Sequence, residues 1–112
     1  MSNVNRRFQR IPTPQGVWVA WQHDARQNVS RVRDLNNGGL FINTPELLAL
    51  GSAVTLLLSV PEGEIRSNAV VRNMVPGEGV GVEFTDMAQQ DLERLERLIT
   101  RLLPADSTAT QK

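Results

Sequence analysis

Hydrophobic and polar positions alternate through most of the chain in short runs separated by turn residues, and the period changes only near the carboxy terminus. Val17, Val19 and Trp21 share one face of a first run, which predicts a strand with Trp18 and Trp21 on opposite faces. The polar stretch Gln22 to Gln27 suits a turn, Val29 to Arg33 reads as a second strand, and Leu40-Phe41-Ile42 as a third. Between those two lies Asp34-Leu35-Asn36-Asn37-Gly38-Gly39, a polar turn ending in two glycines. In Ala53 to Val60, the residues Val54, Leu56, Leu58 and Val60 line one face of a fourth strand. Pro61-Glu62-Gly63 turns the chain into Ile65 to Met74, and Pro76-Gly77-Glu78-Gly79 turns it into Val80 to Phe84. Six short strands joined mostly by hairpins predict a mainly β fold, a six-stranded antiparallel barrel that is closed or split.

Three stretches fall outside this alternation. Ile11-Pro12-Thr13-Pro14 is too rich in proline for a helix and reads as an extended connection. Asn43-Thr44-Pro45 interrupts the pattern, and Glu46 to Leu50 is compatible with a single helical turn ending at Gly51. After Asp86, a candidate cap, Leu92, Leu95, Leu98, Ile99, Leu102 and Leu103 recur at helical spacing. A C-terminal α-helix is therefore expected over 87–103, stopped by Pro104. Its apolar stripe covers less than two heptads, which favours packing on the barrel over a coiled coil, with a homodimer through this helix left open. The expected domain is 11–103, preceded by a flexible arm, 1–10, and followed by a small polar tail, 104–112, expected to be disordered.

Strict alternation leaves one conflict. It places Val29, Arg31 and Arg33 on one face and Ser30, Val32 and Asp34 on the other. If Asp34 and Asn36 face outward, the two arginines point at the core, at high cost. A bulge near Arg33 removes the conflict, and so does a strand that runs on beyond the barrel wall. The sequence does not choose between them.

Composition narrows the chemistry. The 112 residues, 40% of them apolar, suffice for one domain with a modest core. The absence of cysteine excludes disulfides, thiolate metal sites and cysteine nucleophiles. No apolar run approaches the roughly 20 residues of a membrane span, and the opening MSNVNRRFQR lacks the apolar segment of a secretory signal. A cytoplasmic location is expected, with no membrane partner. His23 stands alone, so no metal is expected; no serine, histidine and acid arrangement is evident, and the chain is not read as an enzyme. The net charge of zero conceals an asymmetry: residues 1–33 hold six arginines against Asp24 alone, while residues 34–112 hold six basic residues against eleven acids. Positive charge concentrated in this way suits a compact anionic ligand better than a long polyanion.

Arg6 and Arg10 fit the Arg-x-x-x-Arg motif of PilZ domains, and Asp34-x-Asn36-x-x-Gly39 fits their second motif, Asp/Asn-x-Ser-x-x-Gly, except at Asn36. The strings Gly38-Gly39-Leu40-Phe41-Ile42 and Gly79-Val80-Gly81-Val82-Glu83-Phe84, the latter ahead of a final helix, also resemble that family. The similarity extends over about residues 6–103. It implies a bacterial cyclic di-GMP receptor, with the dinucleotide held between the amino-terminal arm and the barrel and no further cofactor. By that resemblance, Arg6, Arg7 and Arg10 hold phosphates and guanines while Asp34, Asn36 and Gly39 complete the barrel side.

The chemistry is coherent on its own terms. A guanidinium forks onto phosphate oxygens or onto guanine O6 and N7 and stacks on a base, whereas lysine supplies charge without a plane; the only lysine is Lys112. Asp34 accepts from the Watson–Crick edge of guanine, and Gly39 lets the backbone come close to a ligand. Asn36 keeps a donor and an acceptor but is bulkier than serine. Only five residues precede Arg6, so the output is expected to pass through a separate, unidentified protein partner. Two alternatives remain: a nucleotide-free PilZ-like protein–protein adaptor in motility or surface machinery, and a barrel for single-stranded nucleic acid. The latter wants exposed aromatics among basic residues, and three phenylalanines, two tryptophans and no tyrosine give it thin support.

Overall fold

Apolar side chains at every second position give each strand one face to bury, and the shortest way to bury six such faces is to close the sheet on itself. The computed structural model of the chain describes residues 11–13 and 16–103. Seven strands and one helix follow in order: β1 (Ile11–Pro12), β2 (Trp18–His23), β3 (Arg26–Asn36), β4 (Gly39–Asn43), β5 (Ala53–Val60), β6 (Gly63–Val75), β7 (Gly79–Asp86) and α1 (Gln89–Leu102). Their order in the sheet is β1-β3-β2-β5-β6-β7-β4, and the β3–β4 pairing closes the barrel. Every pairing is antiparallel. The expected six-stranded barrel is present, with β1 as an additional short strand.

The core is the set of inward positions. Val19, Trp21, Leu40, Ile42, Leu56 and Leu58 are buried there, as the alternation predicts, while Trp18 lies on the opposite face and is 47% exposed. Trp21 keeps its indole N–H satisfied by donating to Ser30 Oγ at 3.0 Å. The β5–β6 hairpin closes through Pro61-Glu62 with Val60 opposite Gly63. Helix α1 buries Leu95 and Leu98, with Leu92, Ile99 and Leu102 packed at the core's margin. The Asp91 carboxylate, itself buried, accepts from the Arg66 backbone N–H at 3.1 Å and ties the helix to β6.

Several expectations are corrected. Glu46 to Leu50 forms no helical turn; the loop between β4 and β5 is irregular. A lone turn cannot repay its nucleation cost, and the loop is held instead by Thr44 N–H on the Glu78 carbonyl, Gly51 N–H on the Val71 carbonyl and the buried Leu48. Asp86 does not cap the helix: it is the last residue of β7, opposite Asn68, and the N-cap is Ala88 with no side-chain cap bond. The helix consequently spans Gln89–Leu102 and not 87–103. The stretch from Asp34 to Gly39 is mostly strand, with a two-residue turn, Asn37-Gly38, because β3 runs on to Asn36 opposite Gly39.

The conflict over the second strand is resolved in favour of the bulge. The β3–β4 register shifts between Val32, opposite Ile42, and Asp34, opposite Phe41, so Arg33 is the inserted residue. Val32 and Leu35 both reach the core across this shift, while Val29 is 67% exposed. Arg31 and Arg33 therefore do not point inward. Arg31 lies opposite Trp18, half-buried, with its Nε lacking a hydrogen-bond partner among the described residues.

Candidate functional site

The polar edge of the barrel is built by β3, β4 and β1. Ile11 pairs with Leu35 and Pro12 with Asp34, on the edge of β3 that β2 occupies further back. Pro12 has no N–H to donate, which suits a strand with one neighbour. Thr13 N–H then donates to the Arg33 carbonyl at 3.0 Å, and its hydroxyl donates to the Val32 carbonyl. Thus the residue that follows Arg10 in the sequence is hydrogen-bonded beside Leu35, between Asp34 and Asn36. Arg6, Arg7 and Arg10 themselves lie outside the described residues.

Asn36 organises the turn. Its Oδ1 accepts from Gly38 N–H at 2.7 Å and Gly39 N–H at 2.9 Å, and the Gly38 carbonyl accepts from Phe84 N–H at 2.8 Å. The asparagine thus performs the side-chain-to-backbone closure that makes Asx residues common in turns. Gly39 has a packing reason of its own: a Cβ there would sit 2.0 Å from the Val82 carbonyl oxygen of β7. The β4–β7 approach demands glycine whether or not a ligand comes near.

Asp34 is largely buried, and its Oδ2 accepts from Arg33 Nε at 3.2 Å. The Arg33 guanidinium lies over the Phe41 ring, 3.7 Å from its centroid, and its NH1 is 3.6 Å from Glu78 Oε1. Two bulge residues opposing one partner explain this: Arg33 and Asp34 both face Phe41 across the strand pair, so a cation and an anion project outward together. Next to Asn36 and Gly39, a cleft of about 210 Å³ continues across β7 to Arg72, Asn73, Gly81 and Glu83. Arg72 Nε donates to Glu83 Oε1 at 2.5 Å, and a second register shift, between Val71 and Asn73, inserts Arg72 into β6. A larger groove of about 600 Å³ crosses the outer wall at Ala20, Val29, Leu57 and Arg66, but it carries none of the motif residues.

Sequence reasoning brought Asp34, Asn36 and Gly39 to one edge, which is where they lie. It missed Arg33, Phe41, Arg72 and Asn73. The failed alternation at Arg33 was the available signal for the first; nothing comparable marks Arg72. Among the described residues no cluster of histidine, aspartate or glutamate could hold a metal ion, and no helix is long and apolar enough to cross a membrane.

This is a small closed β-barrel with a polar edge at one hairpin and a helix laid against one wall. The model of the PilZ domain matches residues 5–101, and the chain belongs to that family. Among solved structures it is similar to the PilZ domain of YcgR from Escherichia coli with cyclic di-GMP, at 19% identity and a TM-score of 0.66, covering 87% of this chain and 90% of that one. It is also similar to the K. pneumonia MrkH–cyclic di-GMP complex, at 18% identity and a TM-score of 0.71, covering 87% of this chain and 51% of that one. A third is the Bacillus subtilis inhibitor of motility, MotI/DgrA, at 23% identity and a TM-score of 0.66, covering 85% of this chain and 50% of that one. The chain thus spans about half the length of the latter two. No curated protein sequence matches it.

Proposed function

We propose that this chain is a receptor for cyclic di-GMP, which it holds between the amino-terminal arginines and the edge formed by Asp34, Asn36 and Gly39. One observation carries the reading: Ile11, the residue joined to Arg10, is paired with Leu35, so the first motif leads directly onto the strand that bears the second. Family membership and similarity to PilZ domains with cyclic di-GMP support it. Arg6, Arg7 and Arg10 supply the planar cations for phosphates and guanine edges, and Asp34 supplies the acceptor for guanine N–H groups. The ligand is bound, not turned over, and binding shifts a population that a separate protein partner reads. The barrel with its helix, 11–103, is the folding unit; the arm 1–10 closes on ligand and the tail 104–112 takes no part.

Calorimetry with cyclic di-GMP tests the proposal. Arg10→Ala is expected to abolish binding, and undiminished affinity in that variant would place the site elsewhere. Recovery of unaltered ligand after prolonged incubation is the matching test of a non-enzymatic role.

A second reading is a PilZ-like adaptor that has lost its nucleotide. It is favoured by Asn36, whose Oδ1 is committed to the turn by two backbone N–H groups. Absence of thermal stabilisation at high-micromolar cyclic di-GMP selects this reading. The single-stranded nucleic-acid reading has less support, since among the described aromatics Trp18 is the exposed one. If two copies pair through α1, Leu95 and Leu98 take no part in the contact, because they are buried on the barrel.

A further inference from the structure

We propose that Arg33 is a further ligand-facing arginine, whose guanidinium plane is the platform on which a purine base of the ligand stacks beside Asp34. This rests on the cyclic dinucleotide reading of the site and adds to it a residue that neither sequence motif contains. The bulge at Arg33 is the first ground. Bulges re-aim side chains, and here one inserted residue puts a guanidinium on the same outward face as the Asp34 carboxylate.

The second ground is how the guanidinium is held. One face lies on the Phe41 ring at 3.7 Å, Nε donates to Asp34 Oδ2 at 3.2 Å, and NH1 is 3.6 Å from Glu78 Oε1. Three contacts, from β4, from β3 and from the turn before β7, hold the guanidinium over the Phe41 ring. Phe41 is buried yet stands outside the main core cluster, held between this arginine and Gly79 of β7. The Arg33 side chain keeps 47% of its surface open to solvent although its guanidinium lies against the ring. A flat cation backed by an aromatic ring, with part of its surface open and a carboxylate at its edge, presents a purine with stacking and in-plane hydrogen bonding at once. The two flanking carboxylates, Asp34 and Glu78, offset its charge, so its contribution is to shape and base contact more than to phosphate attraction.

The test separates plane from charge. The full chain, Arg33→Lys and Arg33→Gln are titrated with cyclic di-GMP at two salt concentrations. Lysine restores the charge and an ion pair to Asp34 but not the plane. Both variants are expected to bind roughly tenfold more weakly than the parent, with the salt slope of Arg33→Lys unchanged. Because the side chain is half exposed, ligand-free melting temperatures are expected to stay near the parent's, which confirms that folding is not the cause. If Arg33→Lys binds within about twofold of the parent, the platform role is overturned, and the arginine acts only as a partner for Asp34. If the parent chain itself fails to bind, the receptor reading falls and this inference falls with it; binding by the parent with insensitivity at Arg33 overturns this inference alone.

Discussion

At the scale of single residues, the edge of the barrel separates two demands that the motif alone leaves merged. Asn36 and Gly39 shape the hairpin, through the two bonds to Asn36 Oδ1 and the approach of Gly39 to Val82. Asn36→Ala is expected to lower stability by about 1 kcal/mol, because two N–H groups in a partly buried turn lose their acceptor. Asn36→Ser keeps a shorter acceptor and is expected to preserve or tighten cyclic di-GMP binding with a smaller drop in melting temperature. A large loss of affinity in Asn36→Ser would contradict this account of the position. Gly39→Ala is a harsher change. Its Cβ meets backbone and not a flexible side chain, so about 2 kcal/mol or more of stability should go, read as a lowered denaturant midpoint. Loss of ligand in that variant carries no information about contact unless the fold is measured alongside.

At the scale of elements, the junction of α1 with the β5–β6 hairpin offers a prediction about acid. Arg101 Nε donates to Glu62 Oε2 at 2.6 Å and its NH2 to Oε1 at 3.2 Å, a two-pronged pair between the helix's last turn and the hairpin. The Arg101 hydrogen bonds hold the Glu62 carboxyl below its ordinary range, against a smaller opposing effect of burial. A depressed folded-state value means that the folded protein binds fewer protons than the unfolded chain. The pair's contribution is complete above the unfolded carboxyl value of about 4.3 and disappears as pH falls through the lower folded one. Arg101→Gln should therefore melt below the parent at pH 7, by about 1 kcal/mol or less for a pair whose arginine is half exposed, and the deficit should be smaller at pH 3 than at pH 7. An equal deficit at both values would assign the loss to packing of the arginine stem.

Elements were also the level at which the sequence was most legible. Alternation marked six strands, and the Pro-Glu-Gly and Pro-Gly-Glu-Gly signals marked their turns, because one-sided burial imposes a period of two. The periodic leucines gave the helix. What alternation could not show was the pairing context: β3 continues through Asp34 and Asn36 because β1 and β4 flank it, and β7 keeps Asp86 because Asn68 lies opposite. Two of these partners, β1 and Asn68, are distant in sequence. The bulge was half legible, as a conflict in facing at Arg31 and Arg33, but the partner of Arg33 was not, since only the three-dimensional register sets Phe41 beneath it. The arginine arm was legible as a motif alone.

At the scale of the whole molecule, the even charge balance gives no overall field to draw in an anion, so the proposed receptor role rests on the arginine-rich first third of the chain. Removal of residues 1–10 is expected to abolish cyclic di-GMP binding while changing the melting temperature of the ligand-free barrel little, because the core is assembled from β2 to α1. A truncated chain that still bound would move the site off the arm. The central claim, that the arm and the Asp34 edge together form one dinucleotide site, is tested most directly by isothermal calorimetry of the parent chain and Arg10→Ala with cyclic di-GMP. The account predicts saturable binding by the parent and none by the variant at the same concentrations. Binding that survives in Arg10→Ala, or no heat and no stabilisation from the parent at high-micromolar ligand, would contradict it.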